Sequence, residues 1–391
     1  MKFAFVTTMD GYPWGGSEEL WHRAAVRLKQ EGHEVLASVI FWPKLSENVT
    51  GMKDMGIKLQ VRHPYPRTLS RRIWNKASRH RLRCYSELRR FDPDLVVICQ
   101  GHNSGGFDWA KLCRDAEIPY VMIIQCNSEA FWFGDLLDSA LATYKQAKRV
   151  FCVSQGNLDL LRMQLGEMLL NAEVVWNPWN VSCETPSGWP DHANGWRLAC
   201  VARIEVGAKG HDVLLKTLAL PEWRARDVEV NLYGAGRDDL AVRRYAEMLQ
   251  LTNVNFRGHV RNVRSIWEQN HLLVMPSRFE GLPLALVEAM WCARPALVTD
   301  VGGNAELCVD GVTGFVAPAA TVASVSSTLG RAWELRDDWE SMGKAGRSRV
   351  EELVPNDPIG VFCERLKTAT GQSVALNEAI GDRKALSEER L

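Results

Sequence analysis

The chain has 391 residues, and 47 Lys and Arg against 47 Asp and Glu leave no net charge, which excludes a generally basic nucleic-acid binder. With 46% hydrophobic and 24% charged residues it is too apolar for wholesale disorder, and its length suits two or three domains. No run approaches the roughly 18 apolar residues of a membrane-spanning helix. The opening MKFAFVTTMDGYPWGG is interrupted at Asp10, Gly11 and Pro13 before a signal-peptide core forms, and ten cysteines stand without a CxxC pair. A cytoplasmic protein with reduced, buried thiols is expected, soluble or peripheral to a membrane.

In chain order, the apolar run FAFVTT (3–8) leads into a helix that Ser17 can cap. Glu18 and Glu19 lie in its first turn, Leu20, Trp21, Ala24, Ala25 and Leu28 share one face, and Gly32 can end it. The runs EVLASVI (34–40), LVVIC (95–99), YVMII (120–124) and VFCV (150–153) follow, each trailed by helical spacing. This is the rhythm of a parallel α/β sheet. From Trp176 to Trp196 prolines, glycines and asparagines replace any apolar periodicity. The rhythm then restarts with RLACVA (197–202), VEVNLY (228–233), VNF (254–256), HLLVM (271–275) and PALVT (295–299). The reading is an N-terminal domain over 1–178, a linker over 179–196 and a second domain over 197–355. A helix over 356–370 is expected to return to the first domain, and 371–391 form a polar tail. Two doubly wound domains would face each other across a cleft bounded by the carboxyl ends of their strands.

The residues that can carry chemistry lie in those strand-end loops. Gly15 and Gly16 stand between the first strand and its helix, where they serve either the approach of a phosphate or sugar to backbone N–H groups or a tight turn. Arg203 ends the first strand of the second half and Lys209 precedes the next helix, two cations suited to a diphosphate. Further on, Glu280 precedes a Gly-Leu-Pro turn and Glu288 lies among Leu284, Ala285, Leu286, Val287, Ala289 and Met290. On one continuous helix, eight residues at about 100° each would turn Glu288 roughly 80° from Glu280. A carboxylate in so apolar a stretch needs partners, and ligand hydroxyls would supply them. No cluster with metal-ligand spacing appears, so no metal is expected.

Taken together, Gly15-Gly16, Arg203 with Lys209-Gly210, Glu280-x7-Glu288, and Gly302-Gly303-x-x-Glu306 followed by Asp310-Gly-x-x-Gly314 resemble the retaining glycosyltransferases of family 4 over nearly the whole chain. That family has the GT-B fold, an α/β architecture of two Rossmann-like domains. The resemblance implies transfer of a sugar from a nucleotide-sugar, UDP or GDP, to a hydroxyl of a glycan, glycolipid or lipid-linked saccharide. Arg203 and Lys209 would then hold the diphosphate, Glu280 the sugar hydroxyls and Glu288 the ribose. Backbone amides around Gly281 and Leu282 would contact sugar or phosphate, and the loop near Val260 would read the base. Many family members carry a histidine where this chain has Gln125, so Gln125 and the nearby loop residue His102 are the acceptor-side candidates.

The sequence carries other readings as well. Gly234-Ala-Gly236-Arg-Asp-Asp239 is a partial dinucleotide fingerprint whose third glycine is replaced. A sugar-nucleotide epimerase would share the fold and need no acceptor. Residues 62–90 hold nine Arg and Lys76 against Glu87, about +9. They are either a solvated helical face or a dock for an anionic membrane.

Overall fold

The computed structural model describes residues 1–63, 80–181, 187–193 and 195–371. Seven parallel strands form the first sheet: β1 (Lys2–Thr7), β2 (Glu34–Ile40), β3 (Lys58–Arg62), β4 (Leu95–Gln100), β5 (Tyr120–Ile124), β6 (Arg149–Cys152) and β7 (Ala172–Val174), in the order β3-β2-β1-β4-β5-β6-β7. Six more form the second: β8 (Trp196–Val201), β9 (Val228–Tyr233), β10 (Val254–Gly258), β11 (Leu272–Met275), β12 (Ala296–Thr299) and β13 (Gly314–Ala317), in the order β10-β9-β8-β11-β12-β13. The central strands are largely apolar and buried because helices cover both faces of each sheet. In each sheet the strand order reverses beside the first strand, between β1 and β4 and between β8 and β11. The loops leaving those neighbours diverge and open a crevice at their carboxyl ends.

The helix Gly16–Gln30 buries the expected face of Leu20, Trp21, Ala24, Ala25 and Leu28. Ser17 does not cap it: the N-cap is Gly15 in extended conformation, and the Ser17 hydroxyl donates to the Met9 sulfur at 3.0 Å. Packing therefore holds this helix start in place of a side-chain cap. The helix Pro358–Ala369 starts with Asp357 accepting the Gly360 N–H at 2.8 Å and with proline in its first turn. Its Phe362, Cys363, Leu366 and Ala369 join the core of the first helix. The Phe362 ring meets Phe151 edge-on at 5.2 Å, so the C-terminal helix packs into the N-terminal domain.

The nine cysteines among the described residues form no disulfide with one another, and all but Cys126 are buried. Among the described residues no helix is long and apolar enough to cross a membrane. Residues 64–79 of the basic segment lie outside the described residues. Of those described, Arg83, Arg89 and Arg90 are exposed on the helix His80–Phe91, Arg83 pairing with Glu87 at 3.1 Å. Arg62 does not belong to a surface patch: it is buried, donates to the carbonyls of Thr7 and Ser38, and lies 5.0 Å from the Trp109 ring. The charge free to meet a surface is correspondingly smaller than the composition of 62–90 implies.

Candidate active site

A cleft of about 800 Å³ lies between the carboxyl ends of the two sheets. From the first domain it is lined by Gly16, His102 and Gln125, and from the second by Arg203, Lys209, Val260, Glu280, Gly281, Leu282 and Glu288. Gly15 stands directly behind, where a β-carbon would lie 3.5 Å from the Arg203 guanidinium. Separate stretches of sequence thus converge on one site.

The wall of the second domain is built on a short brace. After β8 the chain turns through Arg203 into the one-turn helix Val206–Lys209, whose Val206 N–H donates to Asp238 Oδ2 at 2.8 Å. The loop Gly234–Gly236 packs its backbone against the carbonyls of Ala202 and Ile204. The partial fingerprint therefore supports the Arg203–Lys209 loop, its glycines by close backbone approach and Asp238 by the Val206 bond, while Gly234, Ala235 and Gly236 also line the cleft. Lys209 Nζ donates to both oxygens of Glu280, at 2.6 and 2.7 Å, and the Ser277 hydroxyl donates to Glu280 Oε1 at 2.7 Å. An ammonium carries three donors, so one N–H of Lys209 remains for a ligand. Arg203 lies 4.1 Å from the Tyr12 ring of the opposite domain, a cation–π contact across the cleft. Behind them Arg278 grips Asp212 with two bonds of 2.8 and 2.9 Å and fixes the stretch that ends in Glu280.

Glu280 and Glu288 do not share a helix. Pro283 is the N-cap and the helix runs only from Leu284 to Trp291, so the angular expectation for a continuous helix fails. Both carboxylates nevertheless line the cleft. Glu288 is 3% exposed, and its Oε1 accepts from the backbone N–H of Asn180 at 3.0 Å and from its side-chain amide at 3.1 Å. Burial pushes its carboxyl up to about 7, against the opposing pull of the Asn180 bonds.

On the first domain's side, His102 Nδ1 meets the Ser104 hydroxyl at 3.0 Å, and burial holds its imidazole below the usual histidine range while Asp10 pulls the other way. Its ring lies 5.6 Å from Phe131, which in turn meets Phe279 of the other domain edge-on at 5.2 Å. Gln125 exchanges two amide bonds with Asn177, 3.1 and 2.9 Å, so its side chain is tied to the segment joining the sheets.

Several positions in and around the cleft escaped sequence reasoning. Tyr12, Asn177 and Asn180 line the cleft, yet the last two lie in a stretch whose asparagines and prolines signal only irregular structure. Glu18 resembles an exposed first-turn acid but is buried: it accepts from the Thr7 hydroxyl at 2.8 Å and from the Trp21 indole, and burial pushes it up to about 7. Conversely, Gly302, Gly303, Glu306, Asp310 and Gly314 do not line the cleft. Asp310 pairs instead with Arg331 at 2.9 and 3.0 Å. Among the described residues no group of three His, Cys, Asp or Glu side chains could hold a metal ion.

Two family descriptions match this chain, Glycosyltransferase Family 4 over residues 14–181 and Glycosyl transferases group 1 over residues 196–334. An uncharacterized glycosyltransferase of Methanocaldococcus jannaschii is 29% identical over 215 residues, 53% of this chain and 56% of that protein. A GDP-mannose-dependent phosphatidylinositol monomannoside mannosyltransferase of Corynebacterium glutamicum is 31% identical over 39% of this chain and 42% of its own length. The chain thus spans about half the length, or less, of the curated relatives it matches. Among solved structures, Anabaena HepE in complex with UDP aligns with a TM-score of 0.73 over 94% of this chain and 100% of that one, at 17% identity. The fold, with its two facing parallel sheets, is GT-B, and the chain belongs to the GT-B glycosyltransferases of group 1.

Proposed function

We propose that the protein transfers a sugar from a nucleotide-sugar, a UDP- or GDP-sugar, to a hydroxyl of a glycan, glycolipid or lipid-linked saccharide, with retention at the anomeric carbon. The observation that carries this reading is the Arg203–Lys209–Glu280 cluster on one wall of the cleft, with Ser277 behind it. Arg203 and the remaining Lys209 N–H take the diphosphate, and Glu280 accepts sugar hydroxyls. Glu288 accepts from the ribose, and the Val260 loop holds the base. The acceptor oxygen attacks the face that the nucleotide leaves, while the two cations and the open N–H groups at the start of Leu284–Trp291 stabilise the departing diphosphate. Glu280 has both oxygens engaged by Lys209, so it serves as an acceptor of hydrogen bonds and not as a nucleophile. Because the leaving-group charge is met by side chains, no metal is required.

Two likenesses support the donor class: Anabaena HepE is described with UDP-glucose bound, and the Corynebacterium relative is named for GDP-mannose. His102 and Gln125 face the acceptor side. The acceptor is membrane-proximal, reached through the basic segment 62–90, the buried Arg62 excepted, on the cytoplasmic face. The test is NMR of reaction mixtures holding UDP-glucose or GDP-mannose and a simple saccharide acceptor. Appearance of an α-linked product with nucleoside diphosphate supports the proposal. A β-linked product contradicts retention, and epimerised donor in mixtures without acceptor points to epimerase chemistry instead.

A further inference from the structure

Beneath Glu280 the two domains meet in a seam where side chains of one domain bond the backbone of the other. The carboxylate of Glu306, from the second domain, accepts from the N–H groups of Gln155 at 3.1 Å and Gly156 at 2.7 Å. These are the first amides of the helix Gln155–Leu165 in the first domain, groups that a helix leaves unpaired and partly positive. Their partner here comes from the other domain. On the same seam the Gly281 carbonyl accepts from the Gly303 N–H at 2.7 Å and from the Ser154 hydroxyl at 3.4 Å. A β-carbon on Gly156 would strike the Gly302 carbonyl, and one on Gly281 would strike the Gln125 carbonyl. Contact this close is open only to glycine. Arg349 holds the base of the Glu306 turn through the carbonyls of Glu306 and Leu307, 2.6 and 3.0 Å.

The seam has a geometric consequence for the cleft. No cis peptide occurs among the described residues, and in a trans peptide the C=O and the following N–H point in opposite directions. With its carbonyl tied into the seam, the Gly281–Leu282 peptide turns the Leu282 N–H away from it, toward the cleft that Leu282 lines. Resting on the nucleotide-sugar reading of that cleft, we propose that Glu306 is a positioning residue and an interdomain latch. Its bonds exist only while the domains are closed, and their formation brings the Ser154 hydroxyl as a second donor onto the Gly281 carbonyl that the Gly303 N–H already holds, so the Leu282 amide is fixed toward the donor more firmly in the closed cleft. Glu306 touches no reacting atom.

Glu306→Gln keeps the shape but loses the charge and one acceptor, while Gly156→Ala pries the seam from the other side. Each is compared with wild type in the full chain by hydrogen exchange and small-angle scattering without ligand, and by turnover of UDP-glucose and GDP-mannose. The latch predicts amide exchange at 155–156 at least tenfold faster, a larger radius of gyration, and kcat down about tenfold. Affinity for UDP and GDP should stay within about threefold of wild type. Should Gly156→Ala fail to fold, Glu306→Gln alone carries the test, with melting temperature measured alongside. Unchanged exchange and scattering in Glu306→Gln would overturn the latch, and an unchanged kcat in an opened protein would overturn the positioning role. If the seam opens as predicted but wild type itself turns over neither donor, the transferase reading fails while the latch stands.

Discussion

Removing the Lys209 ammonium separates what this residue does for folding from what it does for catalysis. Both oxygens of Glu280 accept from it at 2.6 and 2.7 Å, and Glu280 is 5% exposed. Lys209→Ala therefore takes a cation from the diphosphate wall and also strands a buried carboxylate whose remaining partner is the Ser277 hydroxyl at 2.7 Å. Breaking a buried pair from one side costs about 3–5 kcal/mol in general. The Ser277 bond and the open cleft place this case lower, at about 2–3 kcal/mol. The double variant Lys209→Ala/Glu280→Gln removes the stranded charge and should recover much of that loss. Catalysis responds differently, because losing one donor to a departing charge costs about 3 kcal/mol of barrier, roughly a hundredfold in kcat. Neutralising Glu280 cannot restore the missing cation. Urea unfolding of the four proteins of the cycle, with nucleoside diphosphate release measured on each, gives both quantities. A Lys209→Ala protein that keeps wild-type turnover, or a double variant that regains it, would refute the assignment of Lys209 to the leaving group.

Other consequences can be measured independently. Glu288→Gln keeps a carbonyl oxygen for both Asn180 donors, so the fold should persist while nucleotide affinity at pH 8, where the carboxyl is ionised, drops about tenfold through loss of charge-assisted bonds; calorimetry showing unchanged affinity at that pH would remove Glu288 from the site. Glu18 titrates at about 7 when folded and near its ordinary 4.5 when unfolded, so between those values the folded chain binds more protons. Its contribution is full below about pH 4.5 and is lost as pH rises to 7, amounting to roughly 3 kcal/mol at most. In Glu18→Gln the amide can donate to Thr7 Oγ1 while the carbonyl accepts from Trp21. That variant should melt higher than wild type at pH 8 and about equally at pH 5, and an equal shift at both would contradict the burial argument. Turnover should survive EDTA, whereas abolition restored by Mg²⁺ or Mn²⁺ would sink the metal-free site. Replacing Arg71, Arg72, Arg79 and Arg81 by Gln should release the protein from anionic vesicles and spare nucleotide binding; equal sedimentation with neutral and anionic vesicles would leave a solvated face as the account of 62–90.

The strands at the centre of each sheet were legible because burial on both faces writes them as unbroken apolar runs, LVVIC and YVMII above all. β3, β7 and β13 were not, since KLQVR carries edge-strand charges and AEV and GFVA are three and four residues long. In the site, Arg203, Lys209, Glu280 and Glu288 announced themselves as charges in strand-end loops or in an apolar helix. Their partners did not: Lys209 and Glu280 are 71 positions apart, and Asn180 and Glu288 are 108 apart. No local pattern encodes a pairing that tertiary packing makes. The same blindness made Arg62 look like one more surface cation, Glu18 a solvated helix-start acid, and Glu306 part of a motif without a visible partner.

Titration calorimetry of UDP and GDP into the wild-type protein and into Arg203→Ala addresses the cleft's assignment most directly, since it needs no knowledge of sugar or acceptor. One of the two nucleotides should bind wild type one-to-one in the micromolar range and bind Arg203→Ala at least tenfold more weakly, because the guanidinium lining the cleft is assigned to the diphosphate. Absence of binding by either nucleotide at millimolar concentration, or equal affinity in the two proteins, would contradict the account.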